Sequence, residues 1–320
     1  MANSKEKLTQ FAQEVHSGLS DHPKRLPSKY FYNEKGDKLF QAIMASPEYY
    51  LTRSEFEIFN SQSEKIAGIF SDQNKTFELI ELGAGDGTKT KVLLQNFVKK
   101  DLDFTYMPID ISKHVIAYLE KHVKKDIPNI RIKGIVGDYF EKLHDLQMND
   151  KNRKVVLFLG SNIGNFKKGK DVEFLRLIAK NLNKGDLLMI GFDLVKDPNI
   201  IRRAYNDSQG ATREFNLNLL DRINEELGAN FQRENFLHYP IYDPVEKQAR
   251  SYIVSKKDQE VFIEAIDRSY PFKAWEFIHT EISQKYSKED IEHLASASGF
   301  SHKEFLFDCK HYYTDAIWEK

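Results

Sequence analysis

Residues 77–91, FELIELGAGDGTKTK, constrain the fold of this chain more than any other stretch. They read as a buried strand that runs into a glycine-rich turn and then a helix. Gly83, Gly85 and Gly87 leave no side chain where the backbone has to bend sharply and approach a ligand closely, and from Thr88 onward a helix begins whose free N–H groups face the turn. The spacing, GxGxG after an acidic strand end, differs from the GxGxxG dinucleotide fingerprint. Taken alone, such a string also serves an ordinary strand-to-helix turn, so the rest of the chain has to discriminate.

From Phe77 onward strands and helices alternate with the rhythm of a parallel sheet covered on both faces, an α/β, Rossmann-like arrangement. Strands are expected at 77–82, 104–110, 130–138, 154–160 and 186–194. Before the last of these, Val172, Leu175, Ile178, Ala179 and Leu182 recur at helical spacing, so that segment presents one face to the sheet. Toward the C-terminus, Ser287 and Asp290 form a capping box and Gly299 a stop for one further helix. EFLFDC and YYTDAIWE then read as a hairpin. An antiparallel pair finishing a parallel sheet resembles the seven-stranded class I methyltransferase fold.

Two regions fall outside this rhythm. Residues 1–60 contain a helix near 5–19 and an aromatic-rich segment. Residues 197–286 contain a long helix with Phe215, Leu219, Leu220, Ile223 and Leu227 on one side, then alternating runs near 236–243, 248–263 and 270–284 that suggest a small antiparallel sheet. The expected division is a cofactor domain of 61–196 with 287–320, and a smaller α+β substrate-recognition domain of 1–60 with 197–286. Ligands of open α/β sheets bind at the carboxyl edge, over which an insertion after the fifth strand is expected to lie.

Composition narrows the partners. With 320 residues, 47 basic and 48 acidic side chains and 41% hydrophobic content, the chain has a core-forming composition and no net basic charge to attract nucleic acid. Lysine clusters such as Lys99 with Lys100, and Lys121 with Lys124 and Lys125, read as solvated helix faces. Cys309 is the single cysteine, which excludes an internal disulfide and a cysteine zinc cluster, and its place in EFLFDC suggests a buried structural residue. MANSKEKLTQ lacks the apolar core of a secretory signal, and no apolar run approaches the roughly 20 residues needed to span a bilayer. A cytosolic protein, without a membrane segment, acting on a small molecule is the expectation.

Asp110 ends the second strand candidate, where a carboxylate can accept hydrogen bonds from both ribose hydroxyls of a nucleoside cofactor. Asp138 closes the third in GDYF, with the aromatic Tyr139 beside it for stacking. Either aspartate alone reads equally well as a turn or helix cap. Lys89 is suited to pair with a cofactor carboxylate, and equally to sit as a surface lysine early in a helix.

Beyond these residues the chain resembles the histidine Nα-methyltransferase family of ergothioneine biosynthesis. The strings that carry the resemblance run nearly end to end: LPSKYFYNEKGDKLF, SPEYYLTRSE, ELGAGDGTKTKVLL, PIDIS, GDY, FLGSNIGNF, GFDLVKDPNIIRRAYNDSQGATREFNLNLL and TEISQKYS. The resemblance implies S-adenosyl-L-methionine as cofactor, held by Gly83, Gly85, Lys89, Asp110, Asp138 and Tyr139, and requires no metal. It implies that Asn165 and Tyr205 bind the carboxylate and α-amine of histidine. Tyr49, with Tyr32 as a further catalytic candidate, is implied to lie near the amine or its water, and Glu281 and Ser283 to hold the imidazole. Residues two apart on a strand face the same way, which suits the last pair. As bare residues, Glu281 and Ser283 read as solvent-facing strand positions and Tyr49 as core.

The family's reaction is three methylations of the α-amine, giving hercynine, and a monomer is expected. One departure bears on the acceptor. Where relatives carry a glutamate and a methionine in the strand lining the pocket, this sequence aligns Arg250 and Ser251, so a large apolar contact beside the imidazole is missing. Tryptophan, tyrosine or another amino acid or amine therefore stands as the alternative acceptor. A non-catalytic cofactor-binding module is a further alternative, against which Asp110, Asp138 and Asn165 argue.

Overall fold

The structure, a computed structural model, describes residues 2–71, 76–138, 141–142 and 152–320, with side chains from residue 10 onward. The chain forms two compact units, Met1–Tyr50 with Lys196–Ser283 and Leu51–Val195 with Gln284–Lys320. Among the described residues no helix is long and apolar enough to cross a membrane.

The second unit is built on a seven-stranded sheet. Its strands in chain order are β1 (Phe77–Leu82), β2 (Phe104–Asp110), β3 (Ile135–Val136), β4 (Arg153–Phe158), β5 (Leu187–Asp193), β6 (Ser301–Phe307) and β7 (Tyr313–Glu319). They lie in the order β6–β7–β5–β4–β1–β2–β3. β1 to β5 run parallel, while β7 is antiparallel to both β5 and β6. Every residue of β1 and β5 is buried, as befits central strands with helices on both faces. The successors of β1 and β4 thus leave the sheet where strand order reverses, the place such sheets use for ligands.

Spacing decides which helix covers which face. Phe174, Leu175, Ile178 and Ala179 from helix Lys170–Lys180, and Ile291, Leu294 and Ala295 from helix Lys288–Ser298, join Ile80, Val156, Leu188, Ile190, Phe192 and Trp318 in one core layer. A second aromatic group, Phe70, Phe77, Phe97 and Phe104, packs edge-on and stacked with ring centroids 5.6–6.4 Å apart. The capping box at Ser287 and Asp290 and the left-handed Gly299 start and stop helix Lys288–Ser298 as the sequence suggests.

The first unit has its own core. Helix Ala211–Leu227 buries Phe215, Leu219, Leu220, Ile223 and Leu227 against Ile253, Ile278, Phe31, Leu26 and the N-terminal helix residues Phe11, Val15 and Leu19. Its four-stranded sheet runs in the order Lys24–Arg25, Phe277–Gln284, Gln248–Ser255, Phe236–Asp243. A separate pair joins Gln259–Ile263 to Arg268–Phe272.

Three expectations need correction. The third strand is only Ile135–Val136, with Ile132 adding one isolated bridge to Tyr106, because Gly134 and Gly137 weaken pairing there. The two long alternating runs each split. One breaks at Lys256–Asp258, and the other at Lys273–Glu276, where Ala274 N–H donates to Asp258 Oδ1 at 2.7 Å and Trp275 adopts φ 69°. Cys309 is exposed, since β6 stops at Phe307 and Asp308 starts the turn.

Two buried contacts hold the sheet at its carboxyl edge. Glu81, fully enclosed, accepts from Thr90 Oγ1 at 2.7 Å and from Tyr106 Oη at 2.5 Å, joining β1 to the following helix and to β2. Burial raises its carboxyl to about 7 against these hydrogen bonds. Across the sheet, a Cβ at Gly191 on β5 would intrude on Tyr313 Oη and on Glu55 Oε1, 2.5 Å away, so glycine is what lets those two groups meet.

A carboxyl held at about 7 instead of 4.5 binds its proton more tightly folded than unfolded, so stability from this group declines as pH rises from about 4.5 to about 7. Glu81→Gln removes that decline. The difference in unfolding free energy between variant and wild type, read from denaturant titrations, should therefore grow in the variant's favour between pH 5 and 8, by up to about 3 kcal/mol; a flat or falling difference would contradict the assignment. Gly191→Ala should destabilise the protein by about 3 kcal/mol in denaturant titrations, through overpacking.

Candidate active site

The glycine turn after β1 has its shape for a backbone reason. Gly83 and Gly85 lie at φ 70° and 56°, the left-handed region that favours glycine, and a Cβ at either would meet nothing within 4 Å. The space above the turn is open to a ligand. Asp110, at the end of β2, receives Ser112 N–H on Oδ1 at 2.9 Å and Gly85 N–H on Oδ2 at 3.3 Å. Its carboxylate thus secures the turn while remaining an acceptor-only group suited to hydroxyls. Gly137 N–H donates to the Asp110 carbonyl at 2.9 Å, which sets Asp138 at the end of the neighbouring strand. The Asp138 carbonyl accepts from Glu141 and Lys142 N–H at 3.1 and 3.0 Å, closing a turn. Tyr139 lies outside the described residues.

Lys89 is not a solvated surface lysine. Its ammonium pairs with Glu55, a carboxylate with 1% side-chain exposure. Glu55 Oε1 also accepts from Gly160 N–H at 2.8 Å and from Tyr313 Oη at 2.7 Å. Burial alone would release the Lys89 proton, but the charge of the Glu55 carboxylate and its hydrogen bond overcome it and the ammonium is held more tightly than usual. Asp315, fully enclosed, is pushed well above the ordinary carboxylate range by burial and by Glu55. Neither Glu55 nor Asp315 stands out in the sequence, where one sits mid-helix and the other mid-strand.

These residues fit the cofactor that the sequence implies. An open left-handed turn over a helix start, a carboxylate at the end of β2 and a lysine beside the end of β4 have the chemistry that the ribose and amino-acid parts of S-adenosylmethionine require. Asn165 belongs to the same unit. It ends the short 3-10 helix Asn162–Asn165 after β4 and is exposed.

The other acceptor candidates belong to the first unit. Tyr32 packs its ring edge-on against Phe40 and Phe215 at centroid distances of 5.6 and 5.5 Å, and Phe40 also takes the edge of Tyr49 at 6.4 Å. Although 46% of the Tyr32 surface stays accessible, enough protein surrounds the hydroxyl to raise it far above its usual value, with Glu281, Asp37 and Tyr205 adding to desolvation. Tyr32, Tyr205 and Glu281 therefore share one electrostatic neighbourhood. Tyr205 is buried at the C-cap of helix Pro198–Ala204. Glu48 joins the loop of Tyr49 to the loop after Tyr205, accepting from Ser208 N–H at 3.2 Å and Ser46 Oγ at 2.8 Å, and the Ser208 side chain, then Ser46 and the Ser208 backbone, hold its carboxyl at about 2.

Glu281 and Ser283 follow Thr280 on strand Phe277–Gln284, and Ser283 is buried. Ser251 Oγ donates to Glu281 Oε2 at 3.4 Å, and His238 Nε2 lies 3.4 Å from the same Oγ. Burial depresses His238 to about 4, so its ring is neutral at neutral pH and orders itself around the serine. Thr280 Oγ1 pins the Ser251 carbonyl at 3.0 Å. Arg250, the other departing residue, engages Gln248 Oε1 at 2.9 Å and Asp243 at 3.6 Å at the hairpin end. Sequence reasoning missed His238, which carries no signal beyond its place in an alternating run.

Residues 11–320 match the family described as histidine-specific, SAM-dependent methyltransferases. The histidine N-alpha-methyltransferase of Mycolicibacterium smegmatis is 36% identical over 280 residues, covering 87% of this chain and 85% of that protein. Its counterpart from Mycobacterium tuberculosis is 33% identical over 287 residues, covering 90% and 88%. Ergothioneine biosynthesis protein 1 of Schizosaccharomyces pombe is 33% identical over 288 residues, covering 86% of this chain and 36% of that longer protein. With its seven-stranded sheet and open glycine turn, this chain is an S-adenosylmethionine-dependent enzyme and belongs to the histidine-specific methyltransferase family.

Proposed function

We propose that the protein is an L-histidine Nα-methyltransferase that adds three methyl groups to the α-amine and yields hercynine, the trimethylated betaine of the ergothioneine pathway. The observation that carries this reading is the match of nearly the whole chain to a histidine-specific family. The names of the relatives agree with it. Within this reading the enzyme acts as a cytosolic monomer on a free amino acid.

S-adenosylmethionine, when bound, supplies a sulfonium methyl group for attack by a neutral amine. The chain's residues align and desolvate the amine, and its protons leave to water ordered beside it. Gly83 and Gly85 admit the donor to the backbone, Asp110 accepts from the ribose hydroxyls, Asp138 and Tyr139 take the adenine, and Lys89 faces the donor's carboxylate. Asn165 both donates to the acceptor's carboxylate and accepts from its amine, and Tyr205 shares that task. Glu281 accepts from the ring N–H, with Ser283 beside it, and the polar contact from Ser251 suits a nitrogen heterocycle better than a purely apolar ring.

Three methylations of an ammonium release three protons in all, because each attack needs a lone pair on nitrogen. Tyr32 remains a neutral hydroxyl across the working pH range, as its raised value dictates. It therefore serves with Tyr49 as a hydrogen-bonding guide for the amine and its water, rather than as a phenolate base.

Turnover of the purified protein on each of the twenty amino acids, with mass detection of the methyl groups added, tests the reading. Histidine carrying three methyl groups is expected to dominate. Asn165→Ala should lower kcat/KM for histidine about a hundredfold, the effect of losing two hydrogen bonds to charged groups. Preference for tryptophan or another acceptor, or wild-type kinetics in Asn165→Ala, would overturn the substrate or the site assignment respectively.

A further inference from the structure

In the sheet unit, one buried carboxylate collects donors from segments far apart in sequence. Glu55, on helix Tyr50–Phe70, accepts from Gly160 N–H and Tyr313 Oη on Oε1 and from the Lys89 ammonium on Oε2. A carboxylate offers about four acceptor positions, and these three donors leave one. Asp315 on β7 is fully buried and interacts with the same carboxylate. Neither of its oxygens has a donor partner.

Two ionised carboxylates in such enclosure repel each other and each lacks a donor toward the other, whereas one proton on Asp315 removes both faults. The Asp315 hydroxyl then supplies the remaining donor to Glu55. The charge count also changes. With Asp315 neutral, Glu55 and Lys89 cancel. With Asp315 ionised, the cluster would be net negative and would repel an arriving anion.

The Lys89 ammonium lies 3.7 Å from where a Cβ on Gly160 would stand, beside the end of β4 and at the start of the helix that follows the glycine turn. We propose that Glu55 and Asp315 are positioning residues for the methyl donor. The neutral Asp315 holds Glu55, and Glu55 holds the Lys89 ammonium at the carboxyl edge, where it meets the carboxylate of the donor's amino-acid arm. Glu55 thereby selects for ligands that carry that arm. The inference rests on the role of Lys89 proposed above.

The test compares two ligands by calorimetry: S-adenosylhomocysteine, which has the amino-acid arm, and methylthioadenosine, which lacks it. Lys89→Met and Glu55→Gln should each weaken S-adenosylhomocysteine about tenfold, the worth of one charge-assisted contact, and change methylthioadenosine less than about twofold. Asp315→Asn keeps a neutral donor and should retain affinity for both ligands, whereas Asp315→Ala should lose affinity for S-adenosylhomocysteine alone.

If Lys89→Met shows no selective loss, the role of Lys89 fails and the inference with it. If Lys89→Met is selective but Glu55→Gln leaves both affinities intact or weakens both equally, only the inference fails. Should Glu55→Gln not fold, the Asp315 pair decides: equal behaviour of Asn and Ala overturns the inference, and rescue by Asn alone supports it.

Discussion

A parallel sheet buried on both faces leaves little room for polar chemistry along its strands, and this constraint governs the sheet unit. Hydrogen bonds within the sheet consume the backbone groups of β1 and β5, and side chains that are mostly apolar or aromatic fill the layers, with the few buried polar ones such as Glu81 and Asp315 held by specific partners. Only the strand ends remain for ligands. There the chain places Gly83 and Gly85 after β1, Asp110 after β2, Asp138 after β3 and Gly160 after β4. Glu81 and Glu55, the enclosed acids near this edge, brace the ends of the strands against the helices that follow or cover them.

How much of this can be read from sequence depends on the range over which a residue acts. β1 and β2 were legible residue for residue, because an apolar strand bounded by turn glycines is a local pattern. So were the capping box of helix Lys288–Ser298 and the buried side of helix Ala211–Leu227. The third strand was overestimated, since IRIKGIVGD alternates like a strand although its glycines weaken the pairing. The exposure of Cys309 was hidden because alternation carries no mark of where pairing stops.

The site residues divide in the same way. Motif strings pointed to the glycine turn, Asp110 and the tyrosines, whereas the partners of Lys89 were invisible: Glu55 and Asp315 are separated from it by tens to hundreds of residues and look like ordinary helix and strand positions. His238 is another such case. Its contact with Ser251 crosses the strand pair Phe236–Asp243 and Gln248–Ser255, whose register the sequence does not specify. In the first unit, aromatic packing of Tyr32 and Tyr49 on Phe40 follows from a short stretch of chain, yet the electrostatic link of Tyr32 to Glu281 spans nearly the whole sequence.

The pairing of β7 with β5 has a consequence for how the protein is made. Leu187–Asp193 pairs on one side with the earlier strand Arg153–Phe158 but finds its second neighbour only in Tyr313–Glu319, with residues 194–312 intervening. A nascent chain leaving the ribosome therefore carries a mostly apolar strand with one bare edge while those residues are made, and the acid on helix Tyr50–Phe70 waits longer still for the tyrosine that caps it. Such late, non-local closure slows folding and lengthens exposure to aggregation. The hairpin of β6 and β7 is thus the piece whose arrival turns a sticky intermediate into a finished sheet.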